Sequence, residues 1–285
     1  AATEIYTLSL HDALPILAYS QGMAPSQALA WRFTLAGIVL WVMLVRKGGH
    51  RRPWREYRNA LLLGLLGFAP QAGLFFLTVR YLSPGLASLL LYLYPAFVVF
   101  LSMVFLKRPP RPAQLFALLF STAGCTLTLW TRGDYPAVGY ALGVIVALAY
   151  GVYLIVSEKV VEGLDPIFIT ANLMVSAAVI YWILTVAGGD VLVPGTPAAI
   201  AGVVGIAVVG SVIPIVTLFA AIRIIGSADT SLVSTIEPLF TVALSALLYG
   251  ERLTSLQLGG GALIVTGVLL LNLKFDLWGK RKNRE

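Results

Sequence analysis

Cysteine and histidine are nearly absent from this sequence. The one cysteine, Cys125, cannot form an internal disulfide, and its simplest role is that of a small residue in helix packing. His11 and His50 are the only histidines, so no cluster has the spacing of metal ligands. No nucleophile is accompanied by a base at a recognisable spacing. We therefore expect no metal or cofactor, and these absences argue against an enzyme.

Charged residues are also scarce, at 12% of the chain, whereas 59% of the residues are hydrophobic and the mean hydropathy is +0.88. These values lie far outside the range of soluble domains. Long uncharged stretches can each cross a hydrocarbon core, which needs about 20 apolar residues. The sequence predicts an all-α integral membrane protein with nine spans, at 27–45, 59–80, 83–106, 113–130, 138–157, 166–187, 199–223, 228–249 and 253–273.

The segment ahead of these spans, ILAYSQGMAPSQ, has the character of the end of a tenth span. Residues 1–16 have neither the basic n-region nor the long apolar core of a signal peptide. They resemble translated sequencing-adapter read-through, and a genuine amphipathic N-terminus is the alternative. We expect residues 1–16 to be non-native and helix 1 of a ten-helix bundle to be truncated in this chain.

Basic residues are concentrated in short loops beside the spans, which explains a pI near 9.6 without a nucleic-acid partner. If the loop after the first of the nine spans is cytoplasmic, sixteen Lys and Arg residues fall inside and three fall outside. Positive charge is retained on the cytoplasmic side during insertion. The count predicts that both termini are cytoplasmic, including a basic tail at 275–285.

The most basic loop is residues 46–58, RKGGHRRPWREYR. Polybasic segments beside a membrane attract anionic headgroups, so this loop is a candidate site for anionic lipids. Topological anchoring alone explains the same charges and is the favoured interpretation.

An internal repeat relates the two halves of the chain. The segment from Arg80 aligns without gaps with the segment from Arg223, at a constant offset of 143 residues, and arginine, proline and glutamine residues fall in register. Each proposed repeat, 17–132 and 133–274, contains five spans, and an odd number reverses the orientation of the second copy. The sequence predicts a 5+5 inverted repeat, a construction of secondary transporters.

Four prolines occupy related positions in the two halves. Pro95 aligns with Pro238 at the common offset, and Pro70 aligns with Pro214 one residue away from it. A proline inside a helix removes a hydrogen bond and frees the carbonyl four residues before it. Prolines are also frequent in transmembrane helices for other reasons. We predict that these four are kink or hinge positions.

Glu237 lies beside Pro238 and aligns with Tyr94 in the first half. It is about ten residues, or about 15 Å, into its predicted span, near the middle of the membrane. A charged group at that depth costs on the order of 3 kcal/mol, so it usually faces a cavity, a polar partner or a proton path. The sequence favours a functional acid over a glutamate that only joins two helices.

These features together resemble the EamA-type ten-helix carriers of the drug/metabolite transporter superfamily. The resemblance covers about residues 17–274 and is carried by SLLLYLYPAFVVFLSMVFLKRPPRPAQLFALLFSTAG in the first half and STIEPLFTVALSALLYGERLTSLQLGGGALIVTGVLLL in the second. The opening APSQALAWRFTLAG, with Arg32, is similar to the second helix of the family. The first copy departs from the pattern with KRPPRP where the second has GERLT.

The resemblance implies a carrier in the bacterial inner membrane that exports amino acids, their derivatives, other small metabolites or drugs. It also implies that the second to fourth and sixth to ninth helices, with the first, enclose the path. The candidate solute or coupling residues are Glu237, Tyr94, Gln71, Asn172, Tyr150 and Arg32. Arg32 could bind an anionic group or extend to the headgroups. Weaker candidates are Tyr92, Tyr153 and Trp182, since tyrosine and tryptophan are often interface anchors.

The predicted activity is secondary transport by alternating access, with a small organic solute and protons as partners. A channel-like facilitator of the same fold is the near alternative. A membrane enzyme or a structural scaffold is the more distant one, and the mid-membrane acid has no obvious use in a scaffold.

Overall fold

The structure, a computed structural model, describes residues 25–129, 134–189, 196–238 and 254–282. Within these ranges the chain is helical, and no strand is present. The α-helices are α1 (Pro25–Arg46), α2 (Trp54–Leu63), α3 (Ala69–Val79), α4 (Pro84–Leu91), α5 (Tyr94–Phe105), α6 (Pro112–Leu129), α7 (Ala137–Val161), α8 (Pro166–Ala187), α9 (Pro197–Ala207), α10 (Ile213–Ser234) and α11 (Ser255–Lys282). A five-residue π-helix joins α2 to α3 (π1, Gly64–Phe68), and another joins α9 to α10 (π2, Val208–Val212).

Six helical segments of the described chain are long and apolar enough to cross a membrane. They are Ser26–Arg46, Trp54–Val79, Leu86–Phe105, Ala137–Val161, Pro166–Ala187 and Ile200–Ser234. Two shorter apolar helices, Pro112–Leu127 and Leu258–Leu270, coincide with the spans predicted at 113–130 and 253–273. Most of the predicted remnant of helix 1 and half of the span at 228–249 lie outside the described residues. The prediction of an all-helical membrane protein is confirmed, and the ten-helix arrangement remains a prediction.

Proline begins five of these helices, where its missing amide hydrogen is not needed and its fixed φ suits the first turn. They are α1, α4, α6, α8 and α9. Side chains cap two of them: Ser83 accepts a hydrogen bond from the amide of Leu86, and Asp165 accepts one from the amide of Ile167.

The described residues form two compact units, and each unit takes helices from both halves of the sequence. The first unit lies within Leu10–Phe76 and Val156–Ile224, and the second within Leu77–Ile155 and Ile225–Glu285. The two sequence repeats therefore do not coincide with the two packed units. The first repeat contributes α1, α2 and α3 to the first unit and α4, α5 and α6 to the second. The second repeat contributes α8, α9 and the first part of α10 to the first unit, and most of α7, the end of α10 and α11 to the second.

Helices α1 and α8, the related helices of the first unit, pack against each other in opposite directions. Trp182 donates a hydrogen bond from its indole nitrogen to Thr34 Oγ1 at 2.8 Å. Three residues further along α1, Gly37 lies against Met174, eight residues earlier in α8. Because one helix is followed forwards while the other is followed backwards, the pair is antiparallel.

Helices α6 and α11 form the corresponding pair in the second unit. A Cβ built on Gly124 would lie 2.6 Å from the carbonyl oxygen of Gly260, and one on Gly267 would lie 3.1 Å from that of Ala117. Gly267 aligns with Gly124, and Gly260 with Ala117, at the offset of 143. The crossing is thus antiparallel and symmetric, and small residues let the backbones approach closely. Both pairs have the orientation that an inverted repeat requires.

The two π-helices occur at equivalent places in the two halves. One ends two residues before Pro70 and the other ends two residues before Pro214. The amide of Ala69 donates to the carbonyl of Gly64, and the amide of Ile213 donates to that of Val208, five residues back in both cases. Pro70 and Pro214, which follow directly, are both exposed. A π-bulge is one of the recognised ways in which a helix deviates at a proline.

The other proline pair also marks matching interruptions. The helix of the first half breaks at Tyr92–Leu93, before Pro95, and that of the second half breaks at Thr235–Ile236, before Pro238. These breaks are related by the offset of 143. Both prolines are buried. The role of these prolines as hinges stays a prediction.

A further interruption separates the predicted spans at 199–223 and 228–249. Gly226 has φ 80° and ψ 168° within α10, a conformation that residues with a side chain rarely adopt. The long segment Ile200–Ser234 is therefore two helical pieces joined at this glycine.

Replacement of Gly124 by alanine tests the close crossing of α6 and α11. The added Cβ would meet the Gly260 backbone, so we expect the Gly124→Ala variant to lose about 1–3 kcal/mol of stability through overpacking. Gly259→Ala is the matched control, because nothing lies within 4 Å of a Cβ at that position. Thermal unfolding of the detergent-purified variants measures both, and equal melting temperatures would contradict the described crossing.

Candidate solute and coupling site

Glu237 lies immediately after the break in the second-half helix, ten residues beyond the start of the helical piece that follows Gly226. It is exposed, and its neighbour Pro238 is buried. In the second unit, the charge of Glu237 acts on the hydroxyl of Tyr92. The acid at one break therefore lies near a tyrosine from the repeat-related break.

Three tyrosines form a cluster near this acid. Tyr94 and Tyr150 are in edge-to-face contact, with ring centroids 4.6 Å apart and planes at 64°. The Tyr92 ring lies 6.2 Å from that of Tyr94, at an interplanar angle of 39°. Glu237 acts electrostatically on the hydroxyls of all three tyrosines. We call these four residues the tyrosine–carboxylate cluster.

The broken helix itself fixes Tyr94. At the break, the amide of Thr235 donates to the carbonyl of Leu232, three residues back, instead of to that of Ser231. The Ser231 carbonyl accepts a hydrogen bond from the Tyr94 hydroxyl at 3.3 Å. Tyr94 is only 3% exposed, so its ring has little freedom to turn away from the cluster.

A face of small residues on α7 places Tyr150 in the cluster. A Cβ on Gly143 would lie 2.4 Å from Leu90, and one on Gly151 would lie 3.0 Å from Phe97. These glycines are eight residues apart and so share one face of α7, with the fully buried Ala147 midway between them. The close packing brings the half-buried Tyr150 against Tyr94.

Arg32 occupies a different setting in the first unit. Its guanidinium donates to Ser211 Oγ and to the carbonyl of Gly210, both at 2.6 Å. The acceptors belong to π2, and Pro214 cannot supply a backbone donor to Gly210. Arg32 is 8% exposed. The side chain therefore hydrogen-bonds an interrupted helix inside the unit.

Gln71 and Asn172, the predicted amides, also lie in the first unit and are 8% and 2% exposed. The Asn172 amide nitrogen donates to the carbonyl of Phe168 in its own helix at 2.7 Å. Trp182, a weaker candidate, packs edge-to-face on Trp31 with ring centroids 5.2 Å apart. Of the six candidates, the structure thus brings together Glu237, Tyr94 and Tyr150, and it places the other three in the first unit.

The sequence analysis missed a buried polar contact in the second unit. Asp229, 5% exposed, forms an ion pair with Arg111 and accepts a hydrogen bond from the Gln114 side chain at 2.8 Å. The Gln114 oxygen in turn accepts a bond from the backbone amide of Arg111. From the sequence, Asp229 marked only the edge of a span and Arg111 only a loop charge. The one available signal was an acid close to the start of a span.

Cys125 is buried, as its predicted packing role requires. Over the described ranges, no three His, Cys, Asp or Glu side chains are grouped so that they could hold a metal ion.

Residues 16–130 and again residues 137–273 match the EamA-like transporter family. The chain belongs to this family. The uncharacterized transporter YyaM of Bacillus subtilis is 26% identical over 258 residues, which cover 86% of this chain and 84% of the relative. The uncharacterized transporter YcbK of the same organism is 27% identical over 278 residues, which cover 90% and 87%. A protein of known crystal structure has the same fold, with a TM-score of 0.79 and 21% identity over 93% of both chains.

Family membership makes this protein a transporter and not an enzyme, as the sequence predicted. The family match falls into two consecutive segments of the chain, in keeping with the internal repeat.

The contact between Arg32 and π2 of this EamA-like transporter can be tested by a double-mutant cycle. Arg32→Met leaves the Gly210 carbonyl with one donor fewer, and we expect a loss of roughly 1–3 kcal/mol in the free energy of unfolding. Pro214→Ala restores a backbone amide hydrogen four residues after Gly210. The cost of Arg32→Met should then fall by at least about 0.5 kcal/mol in the Pro214→Ala background.

Unfolding of the purified variants in mixed micelles gives the four free energies of the cycle. Arg46→Met, at the exposed end of the same helix, is the matched control and should change stability little. If Arg32→Met lowers the free energy of unfolding by the same amount with and without Pro214, then Arg32 does not compensate for the backbone donor that Pro214 lacks.

Proposed function

We propose that this protein is a secondary active transporter that exports small organic solutes, such as amino acids, their derivatives or drugs, by alternating access. The observation that carries the proposal is the pair of matching helix breaks at Tyr92–Leu93 and Thr235–Ile236, with Glu237 at the second. Discontinuous helices at repeat-related positions near the bilayer midplane are how transporters build solute and coupling-ion sites.

Glu237 is the proposed coupling group. Its charge acts on the Tyr92 hydroxyl, and it forms no ion pair among the residues that the structure describes. A carboxylate at that depth is costly unless it binds a proton or a cation. Exchange of a proton at Glu237 would link solute movement to the proton gradient, with Tyr94 and Tyr150 lining the same site.

The four prolines are the proposed flexible points. Each lacks the amide hydrogen that would close a helical bond, so a change of backbone angle there breaks fewer hydrogen bonds than elsewhere in a helix. Buried Pro95 and Pro238 flank the tyrosine–carboxylate cluster, and exposed Pro70 and Pro214 follow the π-helices. Gln71, Asn172 and Arg32 are proposed solute contacts or supports in the first unit, and for Arg32 the contacts with π2 favour support.

We further propose that the protein lies in the bacterial inner membrane with both termini in the cytoplasm. The distribution of positive charge supports this orientation. Loop 46–58 would then lie beside the anionic inner leaflet. Within it, Arg52 pairs with Glu56 at 3.6 Å, and the Tyr57 hydroxyl donates to the carbonyl of His50, so part of the loop is held by its own contacts.

Glu237→Gln tests the coupling role. Glutamine keeps the shape and a hydrogen-bonding group but stays neutral, so proton-driven accumulation of a solute in proteoliposomes should be lost while exchange down a gradient persists. Solutes are first selected by their thermal stabilisation of the purified protein. Pro238→Ala should slow both modes without uncoupling them, because it restores a helical hydrogen bond.

Glu162→Gln is the matched control for this experiment, since Glu162 is exposed beyond the end of α7. It should accumulate solute like the unmodified protein. Uphill transport of normal pH dependence by the Glu237→Gln variant would remove the coupling role. Transport that is never uphill in the unmodified protein would instead favour a channel-like facilitator.

The orientation can be tested by labelling single cysteines in a Cys125→Ala background. Positions Gly48 and Pro110 should react with a membrane-impermeant maleimide only from the cytoplasmic side. Positions Asp134 and Thr196 should react only from the outside. Reaction of all four positions from one side would exclude the inverted topology.

A further inference from the structure

We propose that the tyrosine–carboxylate cluster of Glu237, Tyr92, Tyr94 and Tyr150 binds the ammonium group of an organic cation, which makes amines and quaternary ammonium compounds the solute class. The inference rests on the transport function proposed above and adds the chemistry of its solute. It concerns only residues of the second unit, whose mutual placement the structure describes.

The charges around the cluster favour a cation. The groups that act electrostatically on the three tyrosine hydroxyls are Glu237, the neighbouring tyrosines and Cys125, and none of these is basic. In the same unit, Arg111 is held by Asp229, so this cation is already engaged with another acid. A carboxylate that forms no ion pair among the described residues favours a positive ligand, and it repels an anionic one.

The rings favour an ammonium over a bare metal ion. Faces of aromatic rings attract cations, and several such rings around one point form the usual binding site for quaternary ammonium groups. Tyr94 and Tyr150 stand at 64° to each other and Tyr92 is tilted by 39° from Tyr94, so the rings present surfaces in different directions. The described chain offers no group of carboxylates or thiolates suited to a metal ion.

Two further contacts keep the cluster ready for a ligand. The Tyr94 hydroxyl donates to the Ser231 carbonyl, and the Tyr150 ring lies edge-to-face against the Tyr94 ring, so these two rings are fixed. Glu237 itself is exposed. A solute can therefore approach the carboxylate while the buried side of the cluster stays in place.

Matched pairs of ligands test the proposal directly. Choline is compared with 3,3-dimethylbutan-1-ol, in which carbon replaces the charged nitrogen, and phenethylammonium is compared with 2-phenylethanol. Calorimetric titration of the detergent-purified full chain gives the dissociation constants. We expect at least one cation to bind about tenfold or more tightly than its neutral counterpart, the effect of about 1–2 kcal/mol of charge and ring attraction.

Variants locate this preference in the cluster. Glu237→Gln should reduce the preference for the cation to about threefold or less, because only ring attraction remains. Tyr150→Phe keeps the ring and should retain the preference, whereas Tyr150→Leu should weaken cation binding about fivefold or more. Tyr140→Leu is the control, since Tyr140 lies on the same helix and is 41% exposed. Melting temperatures establish that each variant is folded.

The proposal is overturned if neither cation binds more tightly than its neutral partner, or if the preference survives in Glu237→Gln. If proton-driven transport of other solutes depends on Glu237 while the cations fail to bind, only the solute class is wrong. If the cations bind through Glu237 but the protein never moves a solute uphill, the transport mechanism is wrong and the cation site stands.

Discussion

Hydrogen bonding of the backbone within hydrocarbon is the constraint on which this structure depends. Inside a membrane protein, a carbonyl that loses its helical hydrogen-bond donor cannot bond to bulk water instead. Another group of the protein must therefore donate a hydrogen bond to it. Each half of the chain contains two interruptions linked to proline, and side chains supply donors there. Arg32 donates to Gly210 in π2, and Tyr94 donates to Ser231 at the break before Pro238. Two of the residues that looked functional in the sequence, Arg32 and Tyr94, thus also donate hydrogen bonds to the interrupted helices.

The two halves share their breaks but differ in the side chains placed beside them. The break in the first half is followed by Tyr94, and the equivalent position in the second half is Glu237. The packing is symmetric to the level of single contacts in α6 and α11, where Gly124 meets Gly260 and Gly267 meets Ala117. The helices of the two halves are thus arranged symmetrically, but the residues at the two breaks, Tyr94 and Glu237, are different. The result is a single acid with aromatic neighbours from the other half.

Much of this architecture could be predicted from the sequence because hydropathy, proline and the repeat are local or periodic signals. Those signals located the spans, the aligned prolines and Glu237. The π-helices were not predicted, since a proline can be accommodated by a kink, a tightened turn or a π-bulge, and the choice depends on what packs beside it. Gly64, for instance, lies where a Cβ would be 2.9 Å from the Leu173 backbone.

Contacts between distant residues were beyond the sequence for a different reason. Arg111 and Asp229 are 118 positions apart in the sequence. Neither the residue types nor the spacing predicts that this loop arginine forms an ion pair with a buried acid. The setting of Arg32 was equally hidden, because its acceptors lie 178 and 179 residues away. The repeat predicted which helices of the two halves are equivalent. It did not predict which helices from the two halves pack together within one unit.

That mixing has a consequence for the origin of the molecule. In the first unit, π1 of the first half packs on α8 of the second, and π2 of the second half packs on α1 of the first. The halves are exchanged with each other like partners in a domain-swapped dimer. If the proposed inverted repeat descends from a chain of half this length, that chain alone would have exposed these surfaces, and a second copy inserted in the opposite direction would have covered them. Fusion of two such copies converts an association that depends on protein concentration into folding within one chain, and it permits one copy to acquire an acid while the other keeps a tyrosine.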